Sequence, residues 1–263
     1  MTTVDAGERF RELHEAGTLV MVNVADAGTA EAVVEAGAVA IATTSSGLAT
    51  TMGRRDAAGD LSLDEHAHHT EVLVAAVPGT PVNVDAENGY GHEPEEMAAA
   101  VERFAAAGAA GMGIEDWSGD PDRGMYDRAL AIARIEAAVE AANALDHPFV
   151  ITGRTEVVLY GLDGGLDEAL ARLQGFGEVG AHCLFAPGLR DLDSIRRVVG
   201  QAGGPVNVLL PFPAVDAPRP PAFGLEHLAE IGVRRVSVGG SLYRSQVAHA
   251  ADRVRALLGD GAG

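Results

Sequence analysis

The sequence contains no lysine, so its 19 basic residues are all arginine. That absence removes whole reaction classes. Schiff-base aldolases and pyridoxal phosphate enzymes need a lysine amine, and the Walker phosphate loop needs a lysine on its phosphates. Cysteine is almost as scarce. The single Cys183 excludes an intrachain disulfide and any CxxC redox or zinc-thiolate site, and a buried structural thiol is expected there. No apolar run approaches the roughly 18 residues of a membrane span. The opening MTTVDAGERF carries acids where a secretory signal has a basic region and an apolar stretch, so a cytoplasmic protein without membrane contact is expected. Positive charge is also in deficit. Against 38 acidic residues the arginines leave a formal charge of -19, which repels phosphate backbones, and no nucleic acid or anionic membrane partner is expected.

The 263 residues, 47% of them hydrophobic, suffice for a full core, and one domain over 1–263 is expected. Short β-branched runs alternate with helical stretches throughout, as in βα units around a parallel sheet. Eight strands are predicted: Leu19 to Val24, Val39 to Thr43, Pro81 to Asp85, Ala110 to Glu115, Phe149 to Arg154, His182 to Phe185, Val206 to Leu210 and Arg235 to Val238. Helices are predicted over Thr29 to Ala36, Asp64 to Ala76, Pro94 to Ala107, Arg128 to Ala144 and Leu166 to Val179. Eight units imply a closed (β/α)8 TIM barrel. The first strand runs into ADAGTAEA, so the GxGxxG dinucleotide turn of an open doubly wound sheet is missing from its place. Pro211 to Phe223 is read as one rigid loop.

In such a barrel, polar residues at strand ends line one mouth. The third strand runs into Asp85-Ala86-Glu87-Asn88-Gly89-Tyr90-Gly91 and the fourth ends Gly113-Ile114-Glu115-Asp116. Carboxylates gathered at one mouth repel unless a cation neutralises them, and an oxygen-only set suits Mg2+. Separately solvated loop acids would give the same spacing. His66, His68 and His69 lie together near the second helix and are read as solvated surface histidines, not zinc ligands. His182 is placed in the core or lining a pocket.

VDAENGYG resembles the DxDxGYG metal motif of the isocitrate lyase and phosphoenolpyruvate mutase superfamily, and GIEDW resembles its GxxxED strand end. TTSSGLATTMGRRD (Thr43 to Asp56), ITGRTE and GVRRVSVGGSLYR (Gly232 to Arg244) follow in the family's order along nearly the whole chain. The resemblance implies that Asp85 and Glu87 hold Mg2+ or Mn2+ directly or through water, that Glu115 joins through a water, and that Asp56 organises the metal waters. It implies that Ser45, Ser46 and Gly47 bind the carboxylate of a small anionic carboxylic acid. Arg154 would grip a second anionic group, unless it is only a structural ion pair, and Asn207 is a further contact candidate. The implied activity is a lyase acting on a carbon-carbon bond beside a 2-oxo or 2-hydroxy acid through a metal-stabilised enolate. Carbon-phosphorus chemistry, as in phosphoenolpyruvate mutase or phosphonopyruvate hydrolase, and a non-catalytic metal and oxo-acid binder are the alternatives. The resemblance also implies a homotetramer or dimer, with the C-terminal helix, roughly Ser241 to Leu258, on a neighbouring subunit.

The chain departs from the family after the fourth strand. Where lyases of this group carry a KKCGH-like loop with a proton-donating cysteine, Trp117 to Asp127 reads WSGDPDRGMYD. Neither lysine nor cysteine is available; Ser118, Asp120, Asp122, Arg123 and Tyr126 are left, with Arg123 a candidate for electrostatics and Tyr126 or a metal-bound water for a proton. A short loop touching no substrate is the plainer alternative.

Overall fold

The computed structural model describes residues 3–55, 60–212 and 223–259. Its strands are β1 (Leu19–Asn23), β2 (Ile41–Ala42), β3 (Val82–Asp85), β4 (Gly111–Glu115), β5 (Val150–Arg154), β6 (Cys183–Phe185), β7 (Val206–Leu209) and β8 (Arg235–Ser237). Each pairs in parallel with the next, and β8 returns to β1 through Leu19↔Arg235, closing the expected barrel in sequence order. All eight predicted strands are present, trimmed at their ends, and β2 keeps only Ile41 and Ala42.

The helices are α1 (Thr3–Glu12), α2 (Ala27–Glu35), α3 (Ser45–Thr51), α4 (Leu63–Ala76), α5 (Met97–Ala106), α6 (Arg128–Ala144), α7 (Gly165–Glu178), α8 (Leu192–Gln201), α9 (Leu225–Glu230) and α10 (Ser241–Leu258). Several starts carry side-chain caps: Asp26 on α2, Thr44 on α3, Ser62 on α4 with a full capping box through Glu65, and Asp127 on α6. Each satisfies a backbone N–H that the first turn leaves unpaired. The segment Thr43 to Asp56 carries α3 near its start, so Ser45, Ser46 and Gly47 form that helix's first turn. Most of the predicted Pro211 to Phe223 loop lies outside the described residues.

Two apolar layers hold the fold. The larger lies between strands and helices and contains Val84, Met112, Ile114, Ile151, Leu184, Val208 and Val236 on the outward strand faces, packed on Phe104, Leu173 and Phe176. A smaller one plugs the amino-terminal end of the barrel: Phe10 of α1 packs on Leu19, Met21, Ala40, Ala42, Ala110 and Val150. Burial of a side chain such as Phe10 contributes about 1.5–3 kcal/mol. Above the plug the interior turns polar, with Asn23, Asn83, Thr152, Asn207, Arg235 and Ser237 all buried. Polar groups taken from water need partners, and here they find one another around a cavity open at the carboxyl-terminal end.

Candidate active site

The third strand delivers Asp85 to the mouth and its neighbours fix it there. Its backbone N–H donates to Thr43 Oγ1 at 2.9 Å. One carboxylate oxygen accepts both the backbone N–H and the hydroxyl of Ser45, each at 3.1 Å, and the other meets Arg154 Nη1 at 2.9 Å. Thr43 is held in turn by His66 Nε2 at 3.0 Å, whose Nδ1 lies 2.6 Å from the Tyr90 hydroxyl. His66 is therefore fully buried between β2 and the loop after β3, where the sequence analysis expected a solvated residue. Helical spacing pairs residues 66 and 69 but cannot say which face meets the barrel. Burial, with the nearby His69 adding to it, lowers the His66 pKa to about 3, so the ring is neutral. His68 is exposed as expected, and His69 is half-buried with Nε2 on Ala25 O at 2.9 Å.

The loop after β3 is strained and clamped. Glu87 (φ 48) and Tyr90 (φ 61) both take left-handed backbone, which costs roughly 1–2 kcal/mol for a residue with a side chain. The Glu87 carbonyl accepts the Glu115 N–H at 2.9 Å, tying the two acidic strand ends together. Arg134 of α6, buried and without a carboxylate partner, donates to the carbonyls of Asn88 and Gly91 and stacks 4.1 Å over the Tyr126 ring. A guanidinium thus binds the turn that presents Glu87.

Four charges meet where β3, β4 and β5 end. Arg154 uses every nitrogen on a carboxylate: Nη1 on Asp85, Nη2 on Glu115 at 3.2 Å and Nε on Glu156. Glu156, two residues beyond Arg154 in ITGRTE, was missed in the sequence; a strand-end motif does not reveal that the chain turns its next carboxylate back under the arginine. Its other oxygen, Oε2, is buried without a hydrogen-bond partner. Burial raises the Glu115 pKa well above the usual carboxylate range, Arg154 opposes that, and Glu156, Asp85 and Glu87 add to it. Burial alone would lower the Arg154 pKa, yet the combined fields of Glu156, Glu115 and Asp85 outweigh it and raise the guanidinium well above its ordinary value.

Asp85, Arg154, Ser45, Ser46 and Asn207 all line one cavity of about 310 Å3 at the mouth. Gly47 sits behind its wall, where a Cβ would lie 2.6 Å from Thr44 Cγ2. Asn207 is fixed at both ends, accepting from Arg235 Nε at 3.1 Å and donating to Ser237 Oγ at 2.9 Å. Arg123 is not brought to the cavity: it is exposed in a turn closed by Ser118 N to Gly124 O and a Trp117 to Met125 bridge. Tyr126 is buried outside the cavity lining, its hydroxyl 2.6 Å from His92 Nδ1. Asp56 lies outside the described residues. Cys183 is fully buried, and burial pushes its thiol pKa up. His182 is half-buried at the start of β6, where Nδ1 accepts the Ile151 N–H.

Among the described residues no three acidic, histidine or cysteine side chains form a ready metal cage, because Arg154 stands between the carboxylates. The donor chemistry nonetheless fits a hard divalent cation. Asp85, Glu115 and Glu156 are three carboxylates facing one guanidinium, all their donors are oxygen, and one buried oxygen lacks a partner.

The family profile described as phosphoenolpyruvate phosphomutase matches residues 10–258. The chain is 31% identical to the 2-methylisocitrate lyase of Salmonella typhimurium over 214 residues, 78% of this chain and 70% of that protein. A crystal structure from Burkholderia cenocepacia J2315, described as a lyase/mutase, superposes with a TM-score of 0.89 at 39% identity, covering 98% of this chain and 90% of that one. The crystal structure of 2,3-dimethylmalate lyase gives a TM-score of 0.85 at 26% identity, covering 97% and 88%.

Proposed function

The chain belongs to the phosphoenolpyruvate phosphomutase family, and from that membership we propose that it is a Mg2+-dependent lyase of small 2-oxo or 2-hydroxy carboxylic acids, making or breaking a carbon-carbon bond. The observation that carries this reading is the convergence of Asp85, Glu115 and Glu156 on Arg154 beside Ser45 and Ser46 at one barrel mouth. Asp85, Glu87 and Glu115 would hold Mg2+, or Mn2+ in its place, with Asp56 assigned only by family likeness. When bound, the cation supplies Lewis-acid stabilisation of the charge that develops as the bond beside the oxo group breaks.

The protein's own residues do the rest. Ser45 aims one oxygen of Asp85, leaving the other toward Arg154. Ser46, on the cavity wall, would take the substrate carboxylate, with Gly47 close-packed behind it. Arg154 holds the carboxylates of Asp85, Glu115 and Glu156 together and opposes the burial that pushes Glu115 and Glu156 toward their neutral forms, and breaking up such a cluster would leave uncompensated charges. The loop Trp117 to Asp127 closes on itself and offers the cavity no acid or base.

Carbon-phosphorus chemistry is favoured by the profile's own description, and the lack of a loop lysine weighs against it. A panel of 2-oxo, 2-hydroxy and phosphono acids, assayed with Mg2+ for release of pyruvate or glyoxylate and for inorganic phosphate, separates the readings. Keto-acid release without phosphate is expected. Phosphate release would move the protein to the phosphorus branch, and binding without any product would make it a non-catalytic barrel.

A further inference from the structure

A second cavity, of about 260 Å3, is formed at the amino-terminal end of the barrel by Arg11 of α1, the end of α6 and the starts of β5 and β6. It shares no lining residue with the cavity at the mouth. Active sites of such barrels lie at the carboxyl-terminal mouth, so this pocket is outside the catalytic machinery. Gly7 sets its geometry: a Cβ there would lie 2.1 Å from the Pro148 carbonyl oxygen, and glycine lets α1 approach that loop. Arg11, one helical turn further on the same face of α1, is thereby carried to the pocket.

The wall offers donors with little to bind them. His182 Nδ1 accepts the Ile151 N–H at 3.1 Å, which leaves the ring hydrogen on Nε2. That N–H has no partner among the described residues. Burial first, and the Arg11 charge second, lower the His182 pKa, so the ring is a neutral donor with a guanidinium as its neighbour. Arg11 itself is exposed, and its guanidinium has no hydrogen bond or ion pair among the described residues. The acid of the lining, Asp146, is answered by His147, whose Nδ1 lies 2.7 Å away and whose Nε2 is buried without a partner. A metal ion does not suit this set, since His182 Nδ1 is already taken and its Nε2 carries the hydrogen. An anion does, because a free guanidinium and a free imidazole N–H share one wall, and a guanidinium matches a carboxylate with two parallel bonds. The remaining wall is apolar, with Ala142, Leu145, Phe149 and Val150. We infer that this pocket binds a small monocarboxylate with an apolar body, its carboxylate on Arg11 and His182 and its body against Leu145 and Phe149. One uncompensated positive charge suits a monoanion, and a volume below the usual range of about 300–1,000 Å3 for ligand pockets restricts the body to a small one. Such a site needs no metal and owes nothing to the mouth.

Benzoate is the probe, a planar monocarboxylate whose ring supplies the apolar body. Nuclear magnetic resonance of the histidine rings in EDTA-stripped protein should show saturable shifts at His182 and His147 as benzoate is added. Acetate, which lacks the body, should bind more weakly. Arg11→Gln removes an exposed, unpaired charge and should weaken benzoate by about fivefold, the scale of one exposed charge pair. His182→Asn is the second variant, read at His147: its side-chain oxygen can still accept the Ile151 N–H while the ring donor is gone, and a similar weakening is expected. Asp85→Ala should bind benzoate as wild type does, and oxalate, without an apolar body, is not expected to use this pocket. The absence of any saturable shift overturns the site. So does benzoate binding that Asp85→Ala abolishes and Arg11→Gln leaves intact, or inorganic phosphate that binds as tightly as benzoate.

Discussion

Asp85 and Arg154 are legible in the sequence because each ends a β-rich run, but their mutual contact is not, since a strand-end position fixes height and not the partner across the mouth. Glu156 is not legible, and His66 reads from sequence as a solvated residue, for the same reason: burial at these positions is set by neighbours distant in sequence. Two expectations follow. Arg154→Met leaves three carboxylates without their shared cation and should lower stability by about 3–5 kcal/mol, the scale for breaking a buried pair. Urea denaturation should show that loss partly restored by millimolar Mg2+; a variant as stable as wild type would contradict the cluster's role. The buried histidines give the second. His14 and His66 have folded pKa values lowered to about 3, by burial first in both cases. An unfolded histidine titrates near 6.5 and takes up protons that the folded one refuses, so stability is full above about pH 6.5 and falls as pH drops toward 3. The slope is about 1.4 kcal/mol per pH unit for each histidine. Urea midpoints should thus fall from pH 7 to pH 5, and His66→Gln should flatten that fall.

Elements were the most legible level. The outward strand faces keep β-branched and other apolar residues such as Val84, Ile114, Ile151, Val206, Val208 and Val236 between turn-forming flanks, a pattern that survives any uncertainty in the strand ends, so all eight appear in order. Short helices are harder: Ser45–Thr51 contains two serine or threonine pairs with backbone-bonding habits, and its helical state comes from the Thr44 cap and the packing of Leu48 and Ala49 on Leu61. The long α10 raises a different question. Only Ser241 of its eighteen residues is buried, while Val247, Val254, Leu257 and Leu258 are 51%, 54%, 85% and 68% exposed. Such a stripe is what a helix shows when another subunit covers it, and a homotetramer or dimer is proposed on that ground. Light scattering of Val247→Glu/Val254→Glu should report a smaller species than wild type, with far-ultraviolet dichroism unchanged; a wild-type monomer at micromolar concentration would contradict the proposal.

At the scale of the whole molecule, a chain of formal charge -19 encloses a cavity whose charged wall residues, among the described ones, are three arginines and one aspartate. The outer field opposes anionic substrates, and salt screens it over about 10 Å at 0.1 M, so capture depends on charges inside the mouth. Asp85, Glu87 and Glu115 make a divalent cation the condition for an anion to bind at that end, as local ions invert the sign of a carboxylate site. Isothermal titration of EDTA-stripped protein with oxalate, repeated after adding Mg2+, measures this directly. Binding is expected only with the metal, lost in Asp85→Ala and kept in Cys183→Ser; oxalate that binds the stripped protein as tightly, or binds Asp85→Ala with Mg2+ unchanged, would contradict the metal-dependent mechanism.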